Sequence, residues 1–298
     1  MDAIVGVVPN FSEGRRRDVI DAIVDALDVD GARVVYAEAD ADHHRLDTTV
    51  LGSADGVARA TVSGAAVAID RIDLFEHRGG HPRMGAVDVV PFMPVRGVEM
   101  QECVELARSV GRELAESFSL PVYLYGEAAA VPERRSLADV RKGEFEGLRA
   151  AVAAGDRLPD FGPHELGRAG ATAVGARKPL VAFNTYLGGT DVDAAKQIAR
   201  EVRESGGGLP AVRAIGFAVA ERGCVTVSMN LVDFEVTGVE AAFDAVVGAA
   251  AARGLEVLDS EIVGLAPEAA LPEGTSEHVR LAGFSAETQI LERLVETG

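Results

Sequence analysis

The pattern of apolar and polar positions predicts alternating strands and helices over the first 130 residues. Short apolar runs predict strands, and apolar residues spaced three and four apart predict amphipathic helices. The predicted strands cover residues 3–8, 33–37, 48–51, 87–94 and 122–125. The predicted helices cover residues 16–27, 54–69 and 100–116, and Ser12 is the expected N-cap of the first. These residues are therefore expected to form one compact α/β unit.

A second set of elements follows a stretch of weaker periodicity. Residues 130–175 contain several prolines and glycines, so we expect a loop-rich connector with one helix at residues 137–148. Beyond this connector, strands are predicted at residues 180–187, 213–219, 225–232 and 256–263. Helices are predicted at residues 191–204, 239–253 and 286–295. The second half thus has the order β-α-β-β-α-β, which the first half also shows.

This shared order defines the expected fold. In a split βαβ arrangement, two helices cover one face of an antiparallel sheet. We predict an α+β fold with two tandem split-βαβ (ferredoxin-like) α/β sandwich subdomains. The first covers residues 1–176 and includes the connector, and the second covers residues 177–298. Because clefts between modules are common ligand sites, we expect a ligand between the two subdomains.

The charge balance narrows the range of partners. The chain has 298 residues, with 29 basic and 47 acidic side chains, which gives a formal net charge of −18. Nucleic-acid binding requires a basic face, and the short run at residues 15–17 does not supply one, so we expect no nucleic-acid partner. An anionic small molecule would meet general repulsion, so its site must collect arginines locally.

The N-terminal residues and the cysteines bear on the compartment. The first residues lack the basic start and the long apolar run of a signal peptide, and no later apolar run is long enough for a membrane span. Cys103 and Cys224 lie far apart and form no CxxC motif, which argues against a disulfide framework and a thiolate zinc cluster. We expect a cytoplasmic protein that does not contact a membrane.

The segment HRGGHPR, residues 77–83, is the densest cluster of candidate catalytic side chains. Its double glycine and its proline oppose a helix, so we predict a shaped loop. A histidine in such a loop is suited to proton transfer at neutral pH. Zinc binding by His77 and His81 would need a helix and a glutamate beside the first histidine, and both are missing. A solvated surface turn remains the alternative.

Two further polar segments follow predicted strands. The segment EADADHHRLDT, residues 38–48, gathers acidic and histidine side chains but lacks the glycine and terminal glutamate of a calcium loop. This segment can be interpreted either as an exposed acidic turn or as part of a functional site, and the sequence leaves both interpretations open. Asn10, Ser12 and Glu13 precede a predicted helix, where backbone N–H groups favour anions, although simple helix capping is the preferred interpretation. No metal site is expected.

Several long blocks together resemble the formiminotransferase family, and the resemblance covers nearly the whole chain. These blocks are VPNFSEG (8–14), GGHPRMGAVDVVPFMPVRG (79–97), PVYLYGEAA (121–129), PDFGP (159–163), GATAVGARKPLVAFN (170–184) and NLVDFEVTG (230–238). The resemblance implies two subdomains with a folate tunnel between them. It also implies transfer of a formimino group from N-formimino-L-glutamate to N5 of tetrahydrofolate, by a homodimer and without a metal.

The resemblance assigns roles to particular residues. The catalytic histidine of the family's HPRMG block corresponds to His81. The family's folate-binding segment corresponds to Gly162, Pro163, His164, Glu165, Leu166, Gly167, Arg168, Ala169 and Gly170. This segment is about one residue shorter than in vertebrate members and lacks their tryptophan. Vertebrate members continue into a cyclodeaminase domain, so here we expect a separate protein to carry out any cyclodeamination.

The expected chemistry is proton transfer by His81, first as a general base and then as a general acid. A carboxylate from the 38–42 turn, Glu38 or Asp40, is expected to orient the imidazole. The candidates for binding the substrate's carboxylates or other polar groups are Asn10, Glu38, Asp40, Arg45, Arg83 and Arg177. Two alternatives remain open: a related folate-dependent formyl transferase, and a folate-binding module without catalysis.

Overall fold

The computed structural model describes residues 3–296, and the chain divides between Arg177 and Lys178 into two compact units. Each unit has its own sheet and its own hydrophobic core. None of the helices in residues 3–296 is long and apolar enough to cross a membrane.

The first unit is built on a seven-stranded mixed sheet. Its strands are β1 (Ile4–Val7), β2 (Asn10–Phe11), β3 (Ala32–Asp40), β4 (Arg45–Gly52), β5 (Val87–Arg96), β6 (Val122–Gly126) and β7 (Thr172–Ala176). Its helices are α1 (Arg17–Leu27), α2 (Ala54–Arg71), α3 (Met100–Phe118), α4 (Leu137–Val140) and α5 (Glu144–Ala153).

The strand pairing in the first unit confirms the predicted split βαβ arrangement and extends it. Strands β1 and β2 lie between β4 and β5, and β3 pairs with β4. These pairings are all antiparallel, and α1 and α2 connect them. Strands β7 and β6 then continue the sheet beyond β5 in parallel. The first unit is therefore a split βαβ sheet with two additional parallel strands.

The connector contains a strand that the sequence pattern did not predict. β7 lies between β5 and β6, and all five of its residues are buried. A strand buried on both faces lacks polar alternation, and this one is made of small residues, so its pattern resembles a loop. The helix predicted at residues 137–148 is also wrong, because α4 and α5 are separated by Gly143, which has a left-handed φ of 84°.

The second unit confirms its predicted topology. It consists of β8 (Val181–Leu187), α6 (Val192–Val202), β9 (Val212–Val219), β10 (Cys224–Leu231), α7 (Val239–Ala251) and β11 (Val257–Val263). The sheet order is β11-β8-β10-β9 and every pairing is antiparallel, as a split βαβ fold requires. A short helix, α8 (Thr275–His278), follows the sheet, and the helix predicted at residues 286–295 is instead two short ones, α9 (Ala286–Gln289) and α10 (Leu291–Glu296).

The start of α1 differs from the predicted cap. Ser12 is buried, and its hydroxyl donates to the Gly85 carbonyl at 2.7 Å instead of accepting from the helix. The fully buried Glu13 accepts from the backbone N–H groups of Arg15 and Arg16, both at 3.0 Å. Burial opposes ionisation of Glu13, but these hydrogen bonds prevail and hold its pKa below the usual value. Glu13 therefore fixes the turn that leads into α1, whose N-cap residue, Arg16, makes no capping hydrogen bond through its side chain.

Candidate functional site

The loop that carries His81 packs closely against the β3–β4 turn. A Cβ on Gly79 would lie 2.4 Å from the His43 carbonyl oxygen, so only glycine permits this approach. The Gly80 N–H donates to the Asp42 carbonyl at 3.1 Å, and His77 Nε2 lies 3.0 Å from the His44 carbonyl oxygen. The loop conformation is thus fixed by backbone contacts with a neighbouring turn.

His81 is held through one ring nitrogen. Its Nδ1 lies 2.7 Å from the Pro82 carbonyl oxygen, which can only accept, so Nδ1 carries the hydrogen. In the neutral ring, the lone pair is then on Nε2. Burial, together with the guanidinium groups of Arg45 and Arg141, lowers the pKa of His81 to about 4. At neutral pH the ring is therefore uncharged and its Nε2 can accept a proton.

The positive charges near His81 are organised by Asp88, a fully buried carboxylate at the start of β5. Its Oδ1 accepts from the Met84 N–H at 2.9 Å, and its Oδ2 accepts from Arg45 Nη1 at 2.8 Å and from Arg141 Nη2. Although burial opposes ionisation, Arg141 and Arg45 hold the pKa of Asp88 below its usual value. A buried ion cluster therefore joins the His81 loop, β4 and the end of α4.

Arg45 connects this cluster directly to the histidine. It is 6% exposed, its Nη1 lies 3.4 Å from His81 Nδ1, and its Nε donates to Asp47 at 2.8 Å. Because Nδ1 already donates to Pro82, the contact with Arg45 is electrostatic and not a second hydrogen bond. Arg45 is thus a candidate arginine that contacts His81.

The carboxylates expected to orient His81 have other partners. Asp40 accepts from the backbone N–H groups of Asp42 and His43, both at 2.8 Å, and its Oδ2 lies 2.6 Å from His43 Nδ1. Glu38 accepts from the Tyr36 hydroxyl. The expectation that Glu38 or Asp40 orients His81 is therefore wrong, because the Pro82 carbonyl takes the ring N–H.

Strand register nevertheless brings several candidates into one neighbourhood. Asn10 and Glu38 are both register partners of Asp47, and Asp40 is the partner of Arg45. Cross-strand partners project from the same face of a sheet, so these side chains form a polar patch beside the His81 loop. Asn10 Oδ1 is buried and has no hydrogen-bond partner within the described part of the chain. It is therefore available to accept a hydrogen bond from a ligand.

Arg83 has a structural environment that its sequence position did not suggest. It is 7% exposed and donates through Nη1 to Glu144 at 3.0 Å and through Nη1 and Nη2 to Glu146 at 2.9 and 2.7 Å. Its Nε donates to His77 Nδ1 at 3.3 Å. The expected role of Arg83 in binding substrate carboxylates is therefore corrected to anchoring the start of α5.

Replacement of this arginine tests that correction. Arg83→Met should lower the free energy of unfolding by about 1–2 kcal/mol, since several charge-assisted hydrogen bonds are lost but both glutamates remain partly hydrated. Arg17→Met is the matched control, because the Arg17 side chain is 81% exposed and, within residues 3–296, pairs only with Asp21. Urea unfolding of both variants provides the comparison. Equal stabilities for the two variants would contradict the anchoring role.

Arg177 directly follows β7. Its backbone N–H donates to the Phe92 carbonyl at 3.0 Å. Burial raises the pKa of Tyr125, and the nearby Arg177 guanidinium opposes that rise. Arg177 is thus adjacent to Tyr125.

The predicted folate segment is joined to the His81 loop through backbone hydrogen bonds. The Ala86 N–H donates to the Ala169 carbonyl at 2.8 Å, and the Ala171 N–H donates to the Met84 carbonyl at 2.9 Å. Residues 162–165 are exposed and Leu166 is buried. Residues 167–170 also line a cleft of about 480 Å³ with the ends of α2 and α3. The end of the segment is therefore fixed beside the loop that carries the histidine.

Sequence reasoning missed two members of this site. Asp88 was visible as a lone carboxylate within the apolar run AVDVV, and such a charge requires a partner when it is buried. Arg141 lies in the connector, where nothing in the local sequence pattern distinguishes it from the neighbouring arginines. The first could have been found from sequence, whereas the second needed the fold.

These features define the class of protein: two tandem split βαβ units, the first with a neutral histidine beside a buried ion cluster. Residues 4–177 match the formiminotransferase domain, N-terminal subdomain, and residues 182–290 match the formiminotransferase domain. The chain belongs to the formiminotransferase family.

Curated relatives are similar to this chain over nearly its full length. The chain is 40% identical over 294 residues to glutamate formimidoyltransferase of Streptococcus pyogenes serotype M1, which covers 98% of both chains. It is also 40% identical over 297 residues to the enzyme of that name from Thermoplasma acidophilum, covering 99% of this chain and 98% of the relative. It is 42% identical to formimidoyltransferase-cyclodeaminase of Rattus norvegicus, covering 91% of this chain and 51% of the relative.

Proposed function

We propose that this protein is an enzyme that transfers the formimino group of N-formimino-L-glutamate to N5 of tetrahydrofolate, with release of L-glutamate. The observation that carries this proposal is the match to relatives named glutamate formimidoyltransferase over almost the entire chain. The neutral histidine in the loop at residues 77–83 supports it, because the transfer needs a residue that accepts and then returns a proton.

The proton balance of the transfer sets what the protein must supply. The bond between the formimino carbon and the glutamate nitrogen breaks, and a bond between that carbon and N5 forms. N5 gives up a proton, and the glutamate nitrogen gains one. A single group that first accepts and then donates can serve both steps, which is the usual action of a positioned histidine.

His81 is the proposed group, with Nε2 as the reacting atom. The Pro82 carbonyl holds the hydrogen on Nδ1, so the free lone pair is on Nε2 before the reaction. After it accepts a proton, the imidazolium lies beside the Arg45 guanidinium. This positive neighbour disfavours the charged ring and promotes proton transfer to the leaving nitrogen.

The polar patch next to His81 is the proposed site for the glutamate part of the substrate. Asn10 offers an acceptor with no protein partner in the described chain, and Arg45 offers positive charge. Glu38 and Asp40 border the same patch through strand register, and Arg177 remains a candidate for a folate carboxylate. The proposed folate segment is residues 162–170, whose end is fixed beside the His81 loop.

We further propose that the reaction needs no metal, takes place in the cytoplasm and is carried out by a homodimer. Cys103 and Cys224 are buried and unpaired, which suits a reducing compartment. Activity in the presence of a chelator, together with light scattering of the purified protein, tests the metal and dimer expectations.

The experiment that tests the proposed function measures glutamate release from purified protein. Release should require both tetrahydrofolate and N-formimino-L-glutamate, and N-formyl-L-glutamate should be a much poorer donor. Faster release from the formyl compound would favour the alternative formyl transferase. Folate binding without any release, from either donor, would favour a non-catalytic folate-binding module and contradict the proposal.

A further inference from the structure

Arg141 brings a positive charge from the connector to the surroundings of His81. It follows α4 directly, its side chain is 14% exposed, and its Nη2 donates to Asp88 Oδ2. Its Nε is buried and lacks a hydrogen-bond partner within residues 3–296. Burying a guanidinium whose hydrogen bonds are incompletely satisfied costs free energy, which argues that Arg141 does more than fill space.

Asp88 links this arginine to the base. The same Oδ2 atom accepts from Arg141 and from Arg45, and Arg45 Nη1 lies 3.4 Å from His81 Nδ1. Oδ1 of Asp88 accepts from Met84, three residues after His81. Movement of Arg141 would therefore be transmitted through one carboxylate both to the Arg45 contact and to the loop itself.

We infer that Arg141 is a positioning residue of the transfer, which acts through Asp88 and Arg45 to keep His81 in place as a neutral base. The effect of Arg141 on catalysis rests on the proposed function, whereas its effect on the protonation of His81 does not. It assigns to the connector a task that neither its sequence nor its loop-rich character suggested.

The charges that face His81 determine the direction of the effect. Arg45 and Arg141 disfavour the protonated ring, and Asp88 favours it. The ring centroids of His43 and His81 are 6.3 Å apart. The side chain of Asp47 is 46% exposed and accepts a hydrogen bond from Arg45 Nε. Removal of Arg141 takes away one positive charge and leaves Asp88 less compensated. Both changes stabilise the imidazolium.

The test compares the pH dependence of kcat/KM for the wild type and three variants between pH 3.5 and 8, a range that includes the pKa of His81 at about 4. Arg141→Met should move the acid limb upward by on the order of one pH unit, because His81 then binds protons about tenfold more tightly. Arg141→Lys should restore most of the wild-type profile, since it keeps the charge. Arg157→Met is the matched control, because Arg157 holds the same segment through the Lys142 and Val140 carbonyls and does not contact Asp88.

A merely structural Arg141 would give a different pattern. Activity would then fall equally at every pH, and Arg157→Met would behave like Arg141→Met, which would overturn the inference. His81 itself can be followed by NMR of the imidazole Cε1–H, assigned through His81→Gln, and its titration should shift upward in Arg141→Met. If the wild type released no glutamate, the proposed function would fail, whereas an unchanged His81 titration would overturn the inference alone.

Discussion

His81→Gln is expected to lower the turnover number for formimino transfer by about 10²-fold or more, while folate affinity stays within a few-fold of wild type. The reason is that the variant lacks a group that can accept the N5 proton and return it to the leaving nitrogen. Stopped assays of glutamate release and titration with 5-formyltetrahydrofolate measure the two quantities separately.

His77→Gln is the control for this result. His77 bonds the His44 carbonyl and accepts from Arg83, so its replacement should affect the stability of the loop more than the chemistry. We expect its turnover number to stay within a few-fold of wild type. Near-full transfer by His81→Gln, with loss of transfer in His77→Gln, would show that the wrong base has been named.

Asp88→Asn is expected to give the largest loss of stability, about 3–5 kcal/mol at pH 7. The substitution leaves Arg45 and Arg141 buried without their shared counter-charge. The double variant Asp88→Asn/Arg141→Met should recover part of this loss, because it removes one of the two uncompensated cations. Urea unfolding of the single and double variants measures both effects, and an Asp88→Asn protein as stable as wild type would contradict the ion-cluster account.

The same carboxylate predicts a pH dependence. Asp88 has a depressed pKa in the folded protein, so its stabilising contribution is fully present above its unfolded pKa, near 3.8. The contribution is lost as the pH falls below that value through the folded pKa. The stability difference between wild type and Asp88→Asn should therefore be constant from pH 5 to 8 and shrink in stronger acid.

Much of the fold was predictable because its elements are amphipathic. Helix α1 buries Val19, Ile20, Ile23 and Leu27 along one side, and that spacing is evident in the sequence. Strand β7 was not predictable in this way, since burial on both faces removes the alternation that marks a strand. Hydrophobic periodicity reveals an element that buries one face and exposes the other. It gives no signal for an element that is buried on every face.

The site was predictable in part, for a similar reason. Residue type and loop chemistry indicated a histidine in the loop at residues 77–83, and only the family resemblance singled out His81. The role of Arg83 could not be predicted, because its partners, Glu144 and Glu146, are decided by how the connector packs against the His81 loop. Arg141 lies 53 residues from Asp88 in sequence, so only the fold could reveal their contact.

The most direct measurement follows the transferred carbon itself. N-formimino-L-glutamate labelled with ¹³C in the formimino group is mixed with tetrahydrofolate and the protein at pH 7, in the presence of a chelator. We predict that the ¹³C signal moves to the N5-linked position with wild-type protein as glutamate appears in equal amount, and that His81→Gln slows this at least about 10²-fold. A label that stayed on glutamate with the wild type, or moved equally fast with His81→Gln, would contradict the account.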